Sequence, residues 1–283
     1  GLGDVYKRQA LTIGWDMRFD TLKAAGFKGK AKRLDDVDLP RIGDRIGVGE
    51  DEIHAFMDVE AAGSGFDKKG RPKMLFEPHI FYRELSGKKR EQAVARGLAY
   101  KRWGTKGYPS DSYPRLIEAA KIDATAACRS ASWGLGQILG LNHRAVGYSS
   151  IFAMVADFME DEEHHLNAMV EYLITNNLDD DLREHRWEGL ARGYNGPAYA
   201  KHGYHTKLAR AYAKWAKIKD TPWSRETVTT GEAVGGGAII VGGGAAAVAV
   251  DPQWMPAVGA VILFGVVVLL AAVVLRKRRK RND

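Results

Sequence analysis

A chain of 283 residues with 45% hydrophobic content has room for one medium globular domain plus appendages. The net charge of +7 is concentrated at one end: residues 276–283 hold six basic residues and one acidic one, and without them the balance is 36 basic against 34 acidic. The body is therefore nearly neutral, which removes the charge support for a nucleic-acid partner. Cys128 is the only cysteine, so no intramolecular disulfide framework exists, and its apolar setting in DATAACRSASWG suits a small buried hydrophobe.

In chain order, GLGDVYKRQ at the start resembles translated adaptor sequence. Residues 1–31 are thus expected to be poorly defined, with a non-native opening and no readable targeting signal. From residue 32 to 218, apolar residues recur at three- and four-residue spacing. The pattern predicts helices over 39–46, 50–61, 89–103, 113–119, 122–130, 133–139, 150–176, 178–184, 187–193 and 204–217. Only 65–83 reads as strand, with DKKG as a turn and KMLFE alternating sides. The expected fold is mainly α with a small β-hairpin.

Residues 219–232 are polar and suit a linker. Residues 257–275 then form an uncharged run of 19, close to the roughly 20 that span a bilayer core, flanked by Trp254 and the basic tail 276–283. Residues 233–250 are also uncharged but contain six glycines, and read either as a first span or as a flexible linker. With the basic tail kept inside, one span puts the globular body outside, whereas two spans turning at DPQWMP keep both ends inside and require no export signal. The expectation is a C-terminal membrane anchor, with the globular body inside for two spans or outside for one.

The chemistry concentrates on acids and on glycine-punctuated turns. In the helix 50–61, Ile53, Phe56, Met57 and Glu60 share a face. A carboxylate held against apolar neighbours loses hydration, so Glu60 is expected to hold a proton near neutral pH, as a general acid must. Glu77 ends KMLFE on the side of Leu75. There it either faces a cleft as a second carboxylate or pairs in solvent with Arg71 or Lys73; Asp67 and Asp58 compete for the second role. SASWGLGQILG offers Trp133 as a stacking surface, with Gly134 and Gln137 as polar contacts, and RGYNGPAY offers Tyr194 and Asn195. Aromatics beside amides suit sugars, whose rings have apolar faces and hydroxyl rims. Glu162, Glu163, His164 and His165 lack His-Glu-x-x-His spacing and read as a solvated acidic face, so no metal is expected. GGGAIIVGGG carries no Lys, and no nucleotide or other cofactor is expected.

Taken together, VEAAGSGF, GRPKMLFEPHIFYREL, SASWGLGQILG and RGYNGPAYAKHGYHTKLARAYAKW resemble the N-acetylmuramidase domain of phage and prophage endolysins over about residues 32–223. The resemblance implies a lysozyme-like α+β catalytic domain, with boundaries set at 32–218, and cleavage of the β-1,4 bond between N-acetylmuramic acid and N-acetylglucosamine in peptidoglycan. It also implies that the anchor lies in the bacterial inner membrane, with the body cytoplasmic until lysis for two spans or periplasmic for one. It assigns Glu60 as the acid, Gly134 and Gln137 to the Gly-x-x-Gln turn, and Tyr194 and Asn195 to the Tyr-Asn loop; Glu77 is the second carboxylate where one is used. Two alternatives stay open. One is lytic transglycosylation, which needs a single Glu and yields 1,6-anhydro ends; the other is a non-catalytic, membrane-anchored wall-binding protein.

Overall fold

A computed structural model describes residues 18–61 and 63–224. The elements run α1 (Phe19–Ala24), α2 (Asp38–Asp44), α3 (Glu50–Glu60), β1 (Met74–Phe76), α4 (Pro78–Glu84), α5 (Gly87–Ala95), α6 (Tyr113–Arg129), β2 (Ala131–Trp133), β3 (Ile138–Leu139), a 3-10 turn (Gly140–His143), α7 (Ile151–Glu160), α8 (Glu162–Thr175), α9 (Asp179–Arg183), α10 (Trp187–Asn195) and α11 (Tyr204–Trp215). The architecture is mainly helical with one small antiparallel sheet, ordered β1-β2-β3.

α3 starts where the Gly49 N–H donates to Glu52 Oε2 at 2.9 Å. Glu50, Asp51 and Glu52 fill its first turn, where the helix dipole favours negative charge. Ile53 and Phe56 are wholly buried, with Phe56 against Tyr194 of α10, and α3 also packs along α11, where His54 stacks on Trp215. Burying a side chain such as Ile53 or Phe56 contributes roughly 1.5–3 kcal/mol. The packing delivers the C-terminal end of α3, and with it Glu60, to the junction of α10 and α11.

Several expected elements differ. Residues 133–139 form no helix: β2 turns through Gly134 (φ +72°) and Gln137 (φ +50°) into β3. A Cβ on Gly134 would stand 2.9 Å from Phe158 and from His165 Nδ1, so the turn needs glycine for space as well as for torsion. In 65–83, Phe66 and Pro72 bridge across the DKKG turn, but β1 pairs with β2, Met74 opposite Trp133, so the sheet is completed from distant sequence. After β1 the chain becomes helical, because Pro78 sits in the first turn of α4, where its missing N–H costs nothing. α5 is shorter than the predicted 89–103 and is followed at Gly97 by a left-handed turn (φ +66°).

The helices predicted at 113–119 and 122–130 are both present within α6, divided by a kink at Asp123 (φ −159°, ψ 106°), whose side chain accepts from Ala126 N. The helix predicted over 150–176 is broken at Asp161, in extended conformation, which caps α8 through Glu163 N at 2.9 Å. Lys32 lies beside Asp161 in a parallel bridge: its N–H donates to Glu160 O, and its carbonyl accepts from Glu162 N. Residues upstream of 32 also belong to the domain, since Phe19, Leu22 and Phe27 lie in the core.

The acidic segment of α8 is not the solvated face expected. Glu162, Glu163 and His165 are buried. Glu162 accepts from Arg33 Nη1 at 2.7 Å, Gly65 N at 2.6 Å, Ser64 Oγ at 3.1 Å and Leu34 N at 3.3 Å, tying the loop after Glu60 to the N-terminal segment. The amphipathic period missed this, because the partners lie about a hundred residues away. Cys128 is fully buried, and burial pushes its thiol well above the usual range. Among the described residues no helix is long and apolar enough to cross a membrane. The spans expected at 233–250 and 257–275, and the basic tail, lie outside the described residues.

Candidate active site

Glu60 closes the last turn of α3 and is 2% exposed. Its Oε1 accepts from Asn195 Nδ2 at 2.8 Å, while Oε2 has no protein partner. Burial raises its pKa to about 8, offset in part by the Asn195 hydrogen bond and the charge of Lys207. The acid therefore carries its proton at neutral pH. With Oε1 occupied as an acceptor, the proton belongs on Oε2, a buried oxygen without a protein partner.

Asn195 and Tyr194 close α10, and both are buried. The Tyr194 ring meets Phe56 and Tyr172 edge to face, at 5.0 and 5.5 Å between centroids. Its hydroxyl and Asn195 Oδ1 have no protein partner, like Glu60 Oε2. Buried polar atoms are normally hydrogen-bonded, so this collection at one place is what a polar ligand or ordered water would satisfy. Tyr194 thus offers its hydroxyl, not a ring face. Tyr204 and Lys207, on the first turn of α11, complete the surroundings and were not singled out in the sequence. Burial first, and then the nearby Glu60 charge, hold the Tyr204 phenol up at about 12.

Glu77 is a fully buried acid, as Asp38 also is. It caps α4, and its N–H donates to Ser130 O at 2.9 Å, joining the end of β1 to the start of β2. The Tyr108 hydroxyl donates to Oε2, His79 Nδ1 lies 3.3 Å from the same oxygen, and Oε1 has no protein partner. The solvent-facing pairing with Arg71 or Lys73 does not occur: Arg71 pairs with Asp67 and Asp111. Asp67 is committed to its turn, accepting from Lys69 N, Arg71 N and Arg71 Nε. Asp58 is exposed and accepts from Lys214 and Trp215. Neither competitor is buried with a vacant oxygen.

Trp133 is corrected from stacking surface to core. It is 0% exposed, its indole N–H donates to Cys128 O at 3.0 Å, and no face is open to a sugar. Gly134 is likewise structural. Gln137 is half-buried and donates to Gly134 O at 2.8 Å and Lys73 O at 3.4 Å, closing the β2–β3 turn. No hydrogen bond joins this turn to Glu60. A shallow groove lies on the α10–α11 flank, lined by residues including Trp187, Glu188 and His205, and Glu60 does not line it. Among the described residues no group of three His, Cys, Asp or Glu is placed to hold a metal ion.

A mainly helical domain with a small sheet carries a buried acid at a helix end, a feature that general acid catalysis can use. Residues 50–216, more than half of the chain, match the N-acetylmuramidase family, and the chain belongs to it. Its fold is that of an endolysin: it is similar to the crystal structure of Burkholderia AP3 phage endolysin, with 32% identity and a TM-score of 0.62, over 70% of this chain and 77% of that one. No curated protein matches. The chain is thus a glycoside hydrolase of the muramidase type, and the non-catalytic alternative is set aside.

Proposed function

We propose that this protein cleaves the β-1,4 bond between N-acetylmuramic acid and N-acetylglucosamine in bacterial peptidoglycan, with Glu60 as general acid. The observation that carries this is the single buried carboxyl at the α10–α11 junction, its pKa raised to about 8 and one oxygen unpartnered. Glu60 Oε2 gives its proton to the glycosidic oxygen as that oxygen's bond to the anomeric carbon breaks. The ring gains oxocarbenium character, which a carboxylate stabilises. Glu77 then accepts a proton from the water whose oxygen bonds to the anomeric carbon, and solvent returns the proton balance to Glu60. Asn195 orients the acid, and Tyr194 and Gln137 supply polar contacts to the glycan.

The test is product analysis on purified sacculi. Wild type should release reducing muramic acid ends, and Glu60→Gln should release nothing while remaining folded. Turnover by Glu60→Gln removes Glu60 from the mechanism. The complete burial of Glu77 favours a second reading, lytic transglycosylation, in which the substrate's acetamido group attacks and no second acid acts; it predicts 1,6-anhydro ends. We further propose that residues 257–275, with or without 233–250, tether the enzyme to the inner membrane. Protease added to spheroplasts then leaves the globular body intact for two spans and digests it for one. A chain that never sediments with membranes overturns the tether.

A further inference from the structure

Residues 96–112 connect α5 to α6 and lie mostly exposed, with left-handed glycines at Gly97 and Gly104. The segment reaches back to the buried end of β1. There the Tyr108 hydroxyl donates to Glu77 Oε2 and itself accepts a hydrogen bond from the Trp103 side chain, whose ring is 47% exposed. His79 stands against the same carboxylate oxygen from α4. Both groups lie at Oε2, and Oε1 is left without a partner. A carboxylate in this arrangement is fixed in rotation, with Oε1 the one buried oxygen left without a protein partner. A phenol donor that is itself hydrogen-bonded polarises toward its acceptor and holds it more firmly.

We infer that residues 96–112 form a strap whose Tyr108, backed by Trp103, is a positioning residue for the second carboxylate. It fastens Glu77 Oε2 so that Oε1 is the oxygen that meets the attacking water or the developing cation. This rests on the reading of Glu77 as that carboxylate. A ring packed against a helix for stability alone would need no hydroxyl.

The test compares kcat and KM on solubilised peptidoglycan strands for full-length wild type, Tyr108→Phe, Trp103→Phe and Glu77→Gln, and for Tyr108→Phe placed in Glu77→Gln. Losing one hydrogen bond to a charged group predicts a kcat about 10- to 100-fold lower for Tyr108→Phe, with KM within about twofold. A smaller kcat loss is expected for Trp103→Phe, which keeps an exposed ring and removes the indole donor, and no further loss when Tyr108→Phe is added to Glu77→Gln. If Glu77→Gln is inactive while Tyr108→Phe turns over as wild type, or if the Tyr108→Phe loss falls on KM alone, the strap inference fails and Glu77 keeps its role. If Glu77→Gln keeps wild-type kcat, the reading of Glu77 fails and takes the strap with it. Should Tyr108→Phe unfold, Trp103→Phe decides in its place, and an unchanged kcat there overturns the relay.

Discussion

Glu60 should make this protein less stable than it would be without its acid, by an amount set by pH. Its carboxyl ionises at about 4.5 in the unfolded chain and at about 8 in the folded one, because burial opposes the charge. Between those values the unfolded state has released a proton that the folded state still holds, so stability falls as pH rises from 4.5 to 8 and is flat above. Each pH unit in that window is worth about 1.4 kcal/mol, hence roughly 3 kcal/mol at pH 7 and roughly 4 at pH 8. Glu60→Gln keeps the shape and the oxygen that accepts from Asn195, but has nothing to ionise. Urea unfolding of both proteins at pH 4.5, 6, 7 and 8 should show equal stability at the lowest pH and a widening advantage for the inactive variant. All other titrations cancel in the difference. A gap that does not change with pH, or wild type the more stable at pH 7, would refute a folded-state pKa near 8. The same proton implies that activity declines as pH rises through about 8.

Asn195→Ala removes the hydrogen bond that lowers the Glu60 pKa, so the alkaline limb of the kcat/KM profile should move to higher pH while the maximum falls. Glu162→Ala leaves Gly65 N and Arg33 without their buried acceptor and should cost about 3 kcal/mol in denaturant unfolding, with lower activity because the loop after Glu60 is released. Gly134→Ala places a Cβ 2.9 Å from Phe158 at φ +72° and should destabilise by more than about 1 kcal/mol, read as a lower urea midpoint. His165 donates from Nε2 to Phe158 O at 2.7 Å and accepts from Leu135 N on Nδ1; burial lowers its pKa to about 4. Its ring should show the Nε2–H tautomer by NMR and stay neutral down to about pH 4. The stability it supplies is complete above pH 6.5 and is lost as pH falls toward 4.

Periodicity along one helix was enough to place Ile53, Phe56 and Glu60 on one buried face, because residues three and four apart sit together whatever else the chain does. The Tyr194-Asn195 loop was legible for a similar reason, a composition confined to a few neighbours. Local pattern could not show that Asn195 hydrogen-bonds Glu60 across 135 residues, nor that Trp133 would be sealed into the core by pairing opposite Met74. For Glu77, alternation along KMLFE left a choice between cleft and solvent, and the structure buried it beneath Tyr108 instead. The acidic run of α8 misled outright, since charge suggests water unless the partners that bury it are known, and Arg33 and Gly65 come from far upstream.

The sequence by itself determined the helical class, the acid at the end of α3 and the family, because each is written in residues that are neighbours along the chain. Only the tertiary structure decided which acids are dry, which oxygens are held and which glycines are needed. Desolvation and hydrogen bonding are properties of a packed neighbourhood, and here that neighbourhood is assembled from segments more than a hundred residues apart.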